Sequence, residues 1–267
     1  MKNEILRRLS ALALGLALLL NAAPLPQAFA VEDDTDASSS DSADSTDTTD
    51  KTVVTTADND PTVTAAAANA PALDATAALL VSPESDMVLY EKNADEKRYP
   101  ASTTKIMTAL LTLENVSDLS AVVTAEASDF ENVTADSSNA GIKLGEQVTV
   151  KDLLYALMLP SANEAAYMLA RHVSGSWEQF VDMMNERAAA LGCTNTHFVN
   201  ANGLPDPNHY TSAHDMALIM QECIKNETFC RIESDLTYTI QPTNMTSTPR
   251  DLQNHHALLF QDGQWGY

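Results

Sequence analysis

A lysine inside an apolar helix constrains this fold more than any other feature. Residues Ser102–Leu113, STTKIMTALLTL, read as one helix. Its IMTALL continuation is apolar almost all round, and such a helix has to lie inside a protein. Ser102 and Lys105 stand three residues apart, on one helical face about a turn from each other. A serine hydroxyl is a poor nucleophile until a neighbour takes its proton. A lysine amine can do so only when neutral. Removal from water, or a nearby cation, lowers its pKa toward the working range. Ser102 in the first turn would also lie near the positive end of the helix. A purely structural reading competes with this one. Ser is a favoured N-cap, so Pro-Ala-Ser-Thr-Thr also suits an ordinary helix start. S-x-x-K arises by chance about once in a chain of this length at average Ser and Lys frequencies.

What surrounds the helix follows from the rest of the chain. Residues 31–71 are rich in Asp, Ser, Thr and Ala and hold no aromatic side chain. They bury too little apolar surface to offset the entropy of ordering, which predicts a disordered acidic linker. Much of the net charge of -22 comes from this run. No basic patch is visible to neutralise phosphates, so nucleic acid is not expected as a partner. Residues 1–30 read as a signal peptide. Lys2, Arg7 and Arg8 precede the apolar LSALALGLALLL, and Ala28-Phe29-Ala30 forms an A-x-A cleavage signal before Val31. That run is short for a membrane span, which needs roughly 20 residues. The alternative is an uncleaved anchor. The expected location is outside the cytoplasm, on the cell-wall side of the membrane or in the periplasm. Cys193, Cys223 and Cys230 are odd in number and lack metal-type spacing. Buried thiols are expected, with Cys223 on an apolar helical face.

The folded part, residues 72–267, should open with two strands around a turn at Pro83–Asp86. After the Ser102 helix comes a loop-rich stretch with short strands. KDLLYALML then reads as a helix ended by Pro160, and EAAYMLARHV as the next. Ser176–Gln179 forms a capping box for a helix that stops at Gly192. HFVNANGLPDPNHY reads as a loop. TSAHDMALIMQECIKN is a helix with Met216, Ile219, Met220 and Cys223 on one face, and after Arg231 the pattern turns to short β-like runs.

A second serine strengthens the chemical reading. Ser161-Ala162-Asn163 lies in a tight link between two apolar helices, where a hydroxyl and an amide can project rigidly into a cleft. Ser161 with Glu164 also fits a capping box. Ser137-Ser138-Asn139 matches S-x-N too, in a polar loop, and is read as coincidence.

Taken together, VLYEKNADEKRYPASTTKIMTALLTLE, VKDLLYALMLPSANEAAYMLA and FVNANGLPDPNHYTSAHDMALI resemble the low-molecular-mass penicillin-binding proteins that are serine-type D-alanyl-D-alanine carboxypeptidases of the peptidase S11 family. The resemblance covers roughly residues 72–267. It implies an α+β transpeptidase-type fold, with a helical cluster packed on an antiparallel sheet and the site between them. In this reading Ser102 is the acylated nucleophile and Lys105 its base. Ser161 relays the proton, and Asn163 holds the substrate backbone. The implied partners are peptidoglycan stem peptides ending in D-Ala-D-Ala, and β-lactams that mimic them. No metal or organic cofactor is implied.

The departures are equally definite. No K-T-G, H-T-G or K-S-G occurs, although the family carries that motif on a later strand. The expectation is a catalytic domain incomplete at its C-terminus and nearly inactive as it stands, lacking the family's C-terminal domain and membrane anchor. Ala162 replaces the usual Gly and Glu164 the usual Asp. The rivals are a class A-like β-lactamase, a D,D-endopeptidase and a non-catalytic wall-binding protein.

Overall fold

The Lys105 helix is the centre of the molecule. In the computed structural model, which describes residues 73–134, 137–256 and 259, helix α1 spans Thr104–Asn115 and buries every residue from Thr104 to Thr112. The expected signal peptide and linker, residues 1–71, lie outside the described residues. A helix without a polar face needs partners on all sides. The partners are α2 (Val150–Met158), α3 (Asn163–Ser174), α4 (Trp177–Ala190), α5 (Ala213–Cys223) and α6 (Glu227–Ser234), and α1 packs against all five. Met107, Leu110, Leu111, Leu153, Leu157, Met168 and Ile219 belong to the resulting core.

Short-range chemistry sets the ends of these helices. Thr149 accepts from the Asp152 N–H at 3.1 Å while Asp152 reaches back to the Thr149 N–H at 3.0 Å, so a full capping box opens α2. Ser212 and Asn226 cap α5 and α6 with their side-chain oxygens. Gly175 ends α3 at a φ of 90°, where glycine carries no Cβ penalty. Ser176 accepts from the Gln179 N–H, so the expected box at α4 is present as its forward half alone. The helix α6 starts at Glu227, in a stretch to which the sequence pattern gives no element, and runs three residues past Arg231 into the region expected to hold short β-like runs.

Strand pairing is antiparallel and divided into small units. β1 (Ala78–Val81) pairs with β2 (Val88–Lys92) around the expected turn, β3 (Val122–Thr124) with β4 (Gln147–Thr149), and β5 (Thr237–Ile240) with β6 (Arg250–Gln253). Helices packed with antiparallel strands make the fold α+β, as expected. Arg171, near the end of α3, donates to both Asp129 oxygens, to Glu126 and to the Thr124 carbonyl. Asp129 is 1% exposed. This charge-assisted fork fixes the helix whose first residue, Asn163, enters the site described next. All three cysteines are buried and unbridged, and burial raises each thiol above its ordinary pKa.

Candidate active site

The nucleophile candidate sits just before α1. Ala101–Thr103 form a 3-10 turn, so the regular helix starts two residues later than the sequence suggests. Thr103 ties the turn to the Pro100 carbonyl through its Oγ1 at 2.6 Å. Ala101 holds a left-handed φ of 48°, which costs a non-glycine residue roughly 1–2 kcal/mol. Ser102 is exposed, whereas Lys105 behind it is 1% exposed.

Three oxygens surround the Lys105 amine. Nζ lies 3.2 Å from Ser102 Oγ, 2.8 Å from Asn163 Oδ1 and 2.6 Å from the Asn202 carbonyl. Burial pulls the amine down from 10.5 to about 7, and the neighbouring Glu164 carboxylate opposes that shift. A neutral amine has two N–H donors and one lone pair. Asn163 and Asn202 offer only acceptors at these positions, so they take the two donors. The lone pair is then left for the hydroxyl of Ser102. Near neutral pH a large fraction of Lys105 can accept that proton.

Ser161 occupies the turn between α2 and α3. It too is left-handed, at a φ of 59°, and the turn is closed by the Ala162 N–H on the Ala156 carbonyl at 2.9 Å. Its Oγ is buried and has no hydrogen-bond partner among the described residues. The Ser161–Glu164 capping box does not form. Ala162 is the N-cap of α3, and Glu164 Oε1 instead accepts the Ala140 and Ile142 N–H groups at 2.7 and 3.4 Å. Burial raises the Glu164 carboxyl above the usual range against those bonds. The structure thus joins Ser102, Lys105 and Asn163 directly, with Ser161 two residues from Asn163. The Ser137–Asn139 loop is not remote, since the Ser138 carbonyl accepts the Asn163 N–H at 3.0 Å. Among the described residues, its Ser137 and Asn139 side chains bond to Thr134, Ser137 and Gly141 of the same loop.

Sequence reasoning gave no role to the loop 197–210. The loop nevertheless delivers the shortest contact to Lys105, through a backbone carbonyl. Asn200 Oδ1 accepts from the Gly203 N–H at 2.7 Å, and its Nδ2 donates to the Leu204 carbonyl at 2.9 Å. Gly203 has a φ of 87°, and a Cβ there would stand 1.8 Å from the Ala101 carbonyl oxygen. The glycine that follows two closely spaced asparagines was the available signal. It marks a place where backbone must approach backbone.

Comparison with solved structures defines the class first. The fold matches the Streptomyces K15 DD-transpeptidase with a TM-score of 0.67 and 33% identity, over 72% of this chain and 78% of that one. It also matches the D-alanyl-D-alanine carboxypeptidase DacD of Francisella tularensis, with a TM-score of 0.61 and 31% identity over 68% and 44% of the two chains. The architecture is therefore that of a penicillin-binding-type DD-peptidase. Residues 64–264 match the D-alanyl-D-alanine carboxypeptidase family, peptidase S11, and the chain belongs to that family. Among curated relatives, the Bacillus subtilis carboxypeptidase DacF is 37% identical over 156 residues, 58% of this chain and 40% of that protein. The D-alanyl-D-alanine carboxypeptidase of Streptomyces sp. K15 is 37% identical over 182 residues, 64% of this chain and 62% of that protein. The matched stretches thus span 40% and 62% of these relatives.

Proposed function

We propose that this protein is a serine-type D-Ala-D-Ala carboxypeptidase that trims the stem pentapeptides of peptidoglycan. The contact of the Lys105 amine with Ser102 Oγ, with both amine donors occupied elsewhere, carries the reading. Ser102 Oγ attacks the carbonyl carbon of the penultimate D-Ala and gives its proton to Lys105. The proton passes to the departing amine, with Ser161 as relay, and the C–N bond breaks. D-Ala leaves, and the peptide remains as an ester on Ser102. Water then attacks the ester, Lys105 takes its proton, and Ser102 Oγ recovers one. Asn163 spends its Oδ1 on Lys105, so Nδ2 is the group left to hold the substrate backbone. A β-lactam would follow the first half of this path and remain on Ser102. Glu164 is a poor deacylating carboxylate, because it is buried and holds the 140–142 loop.

The test is release of D-Ala from a peptide ending in D-Ala-D-Ala, with a fluorescent penicillin mapped to its tryptic peptide. D-Ala release and a label on Ser102 are expected. Transfer of the acyl group to an added amine in preference to water would make the protein a transpeptidase. Cleavage of crosslinked dimers without D-Ala release would make it an endopeptidase. The absence of both D-Ala release and label would sink the reading.

We also propose export, because residues 1–30 order a basic start, an apolar run and an A-x-A signal. Among the described residues, no helix is long and apolar enough to cross a membrane. N-terminal sequencing of secreted protein should read from Val31, and a chain still starting at Met1 would refute cleavage.

A further inference from the structure

Three side chains on α1 grip the loop 197–210 in a fixed register. Thr108 Oγ1 donates to the Ala201 carbonyl at 2.7 Å, and Lys105 Nζ takes the next carbonyl, Asn202, at 2.6 Å. Thr104 Oγ1 meets His209 Nε2 at 2.8 Å. His209 Nδ1 accepts the Val199 N–H at 3.0 Å, so its proton resides on Nε2 and is donated to Thr104. Thr104, Lys105, Thr108 and His209 are all 1% exposed or less. Such buried hydrogen bonds are costly to leave unmade. Only the Lys105 contact belongs to the proposed chemistry. The other two do nothing for a substrate directly. They fix the height of the loop on the helix.

We propose that Thr108 and His209 are positioning residues for Lys105, holding the Asn202 carbonyl on the amine so that its lone pair faces Ser102. The proposal rests on the carboxypeptidase reading for its consequence and on the loop contacts for its geometry. Without the clamp, the loop is tied to α1 at this point by Lys105 alone. The amine then loses its second acceptor or follows it, and the Ser102 approach loosens. A misplacement of about 1 Å in a catalytic group can cost on the order of 10²-fold. Loss of the carbonyl also removes an acceptor that favours the charged amine, so Lys105 should titrate at lower pH. Glu164 on α3 acts on Lys105 with the opposite sign to burial, and His209 is the titratable group on the loop that touches α1. Burial lowers His209 to about 4, so it stays neutral across the working range and acts through geometry.

Thr108→Val removes the hydroxyl at nearly constant volume. In the full-length protein it should slow penicillin acylation of Ser102 by roughly 10–100-fold. The Lys105 titration, read by NMR at its side-chain carbons, should move below the wild-type midpoint. Thr108→Ser, which keeps the donor, should recover most of both effects. Thr104→Val repeats the test at the His209 contact. A folded Thr108→Val or Thr104→Val protein with wild-type acylation and an unmoved Lys105 midpoint overturns the proposal. If neither variant shows a cooperative unfolding transition, His209→Phe, which keeps a ring but removes the donor toward Thr104, takes the same two measurements with the same outcomes. Wild-type protein that takes no label at Ser102 would instead defeat the carboxypeptidase reading. The Lys105 midpoint would still test the clamp in that case.

Discussion

Ser102→Ala is expected to cut covalent labelling by fluorescent penicillin by at least ~10⁴-fold, the usual cost of removing a nucleophile that works as a unit with its base. The fold should be unaffected. Ser102 is exposed, and among the described residues its side-chain hydrogen bond is the 3.2 Å approach of Lys105. Exposed substitutions usually stay within about 0.5 kcal/mol, and the loss of one contact at the surface leaves the core untouched. The variant therefore separates chemistry from stability, which a core substitution cannot do. Other hydroxyls lie near the site, but they are ill placed to substitute. Ser161 Oγ is buried, and Thr103 Oγ1 is already donated to Pro100. Mass mapping of the label decides the matter. Stoichiometric acylation of Ser102→Ala at Ser161 or any other serine would show that the nucleophile is misassigned. In wild-type protein the acylation rate should rise with pH through about 7 and level off above it. Only the neutral amine can take the Ser102 proton, and burial brings Lys105 to about 7.

The parts of this site that the sequence made legible are side chains on regular elements. Ser102, Lys105 and Asn163 lie in or beside helices whose apolar periodicity is strong, so their relation to the core could be read directly. Lys105 stood out because its neighbours left no polar face for it. What escaped was backbone. The Asn202 carbonyl, 97 positions from Lys105, is an atom every residue possesses, and no residue type announces its use. Left-handed conformations at Ala101 and Ser161 escaped for a related reason. Local preference disfavours them, and tertiary contacts must over-determine them, such as the Ala101 carbonyl packed on Gly203. The capping box that Ser161 and Glu164 fit by spacing does not form, because spacing alone cannot see Ala140 and Ile142 arriving from another loop. The helix α6 was missed because it is only eight residues long, and its cap, Asn226, looks like loop chemistry in sequence.

Lys105→Met should produce the other large change, in two measurements at once. Acylation should fall on the order of 10⁴-fold, since among the described residues Lys105 is the amine that reaches Ser102. The pH dependence of folding stability should also change. The ordinary lysine pKa of 10.5 describes the unfolded chain, and the folded value is about 7. Between these two pH values the unfolded chain binds a proton at Lys105 that the folded protein does not. Stability therefore rises with pH across that window. Below it the folded state carries the full cost of a buried charge, roughly 5 kcal/mol for a difference of this size. Methionine has no proton to bind and carries no such cost at any pH. The difference in unfolding free energy between wild type and Lys105→Met, from urea titrations, should shift in favour of wild type by roughly 2–3 kcal/mol between about pH 7 and 9. Groups that titrate in the same range without interacting with Lys105 contribute equally to both proteins and cancel in the difference. Glu233, raised by burial to about 8, is one of them. A difference that stays flat over this range would mean that Lys105 remains protonated in the folded protein. A protonated amine cannot accept the Ser102 proton, so that result would remove Lys105 as the base whatever the acylation assay gave.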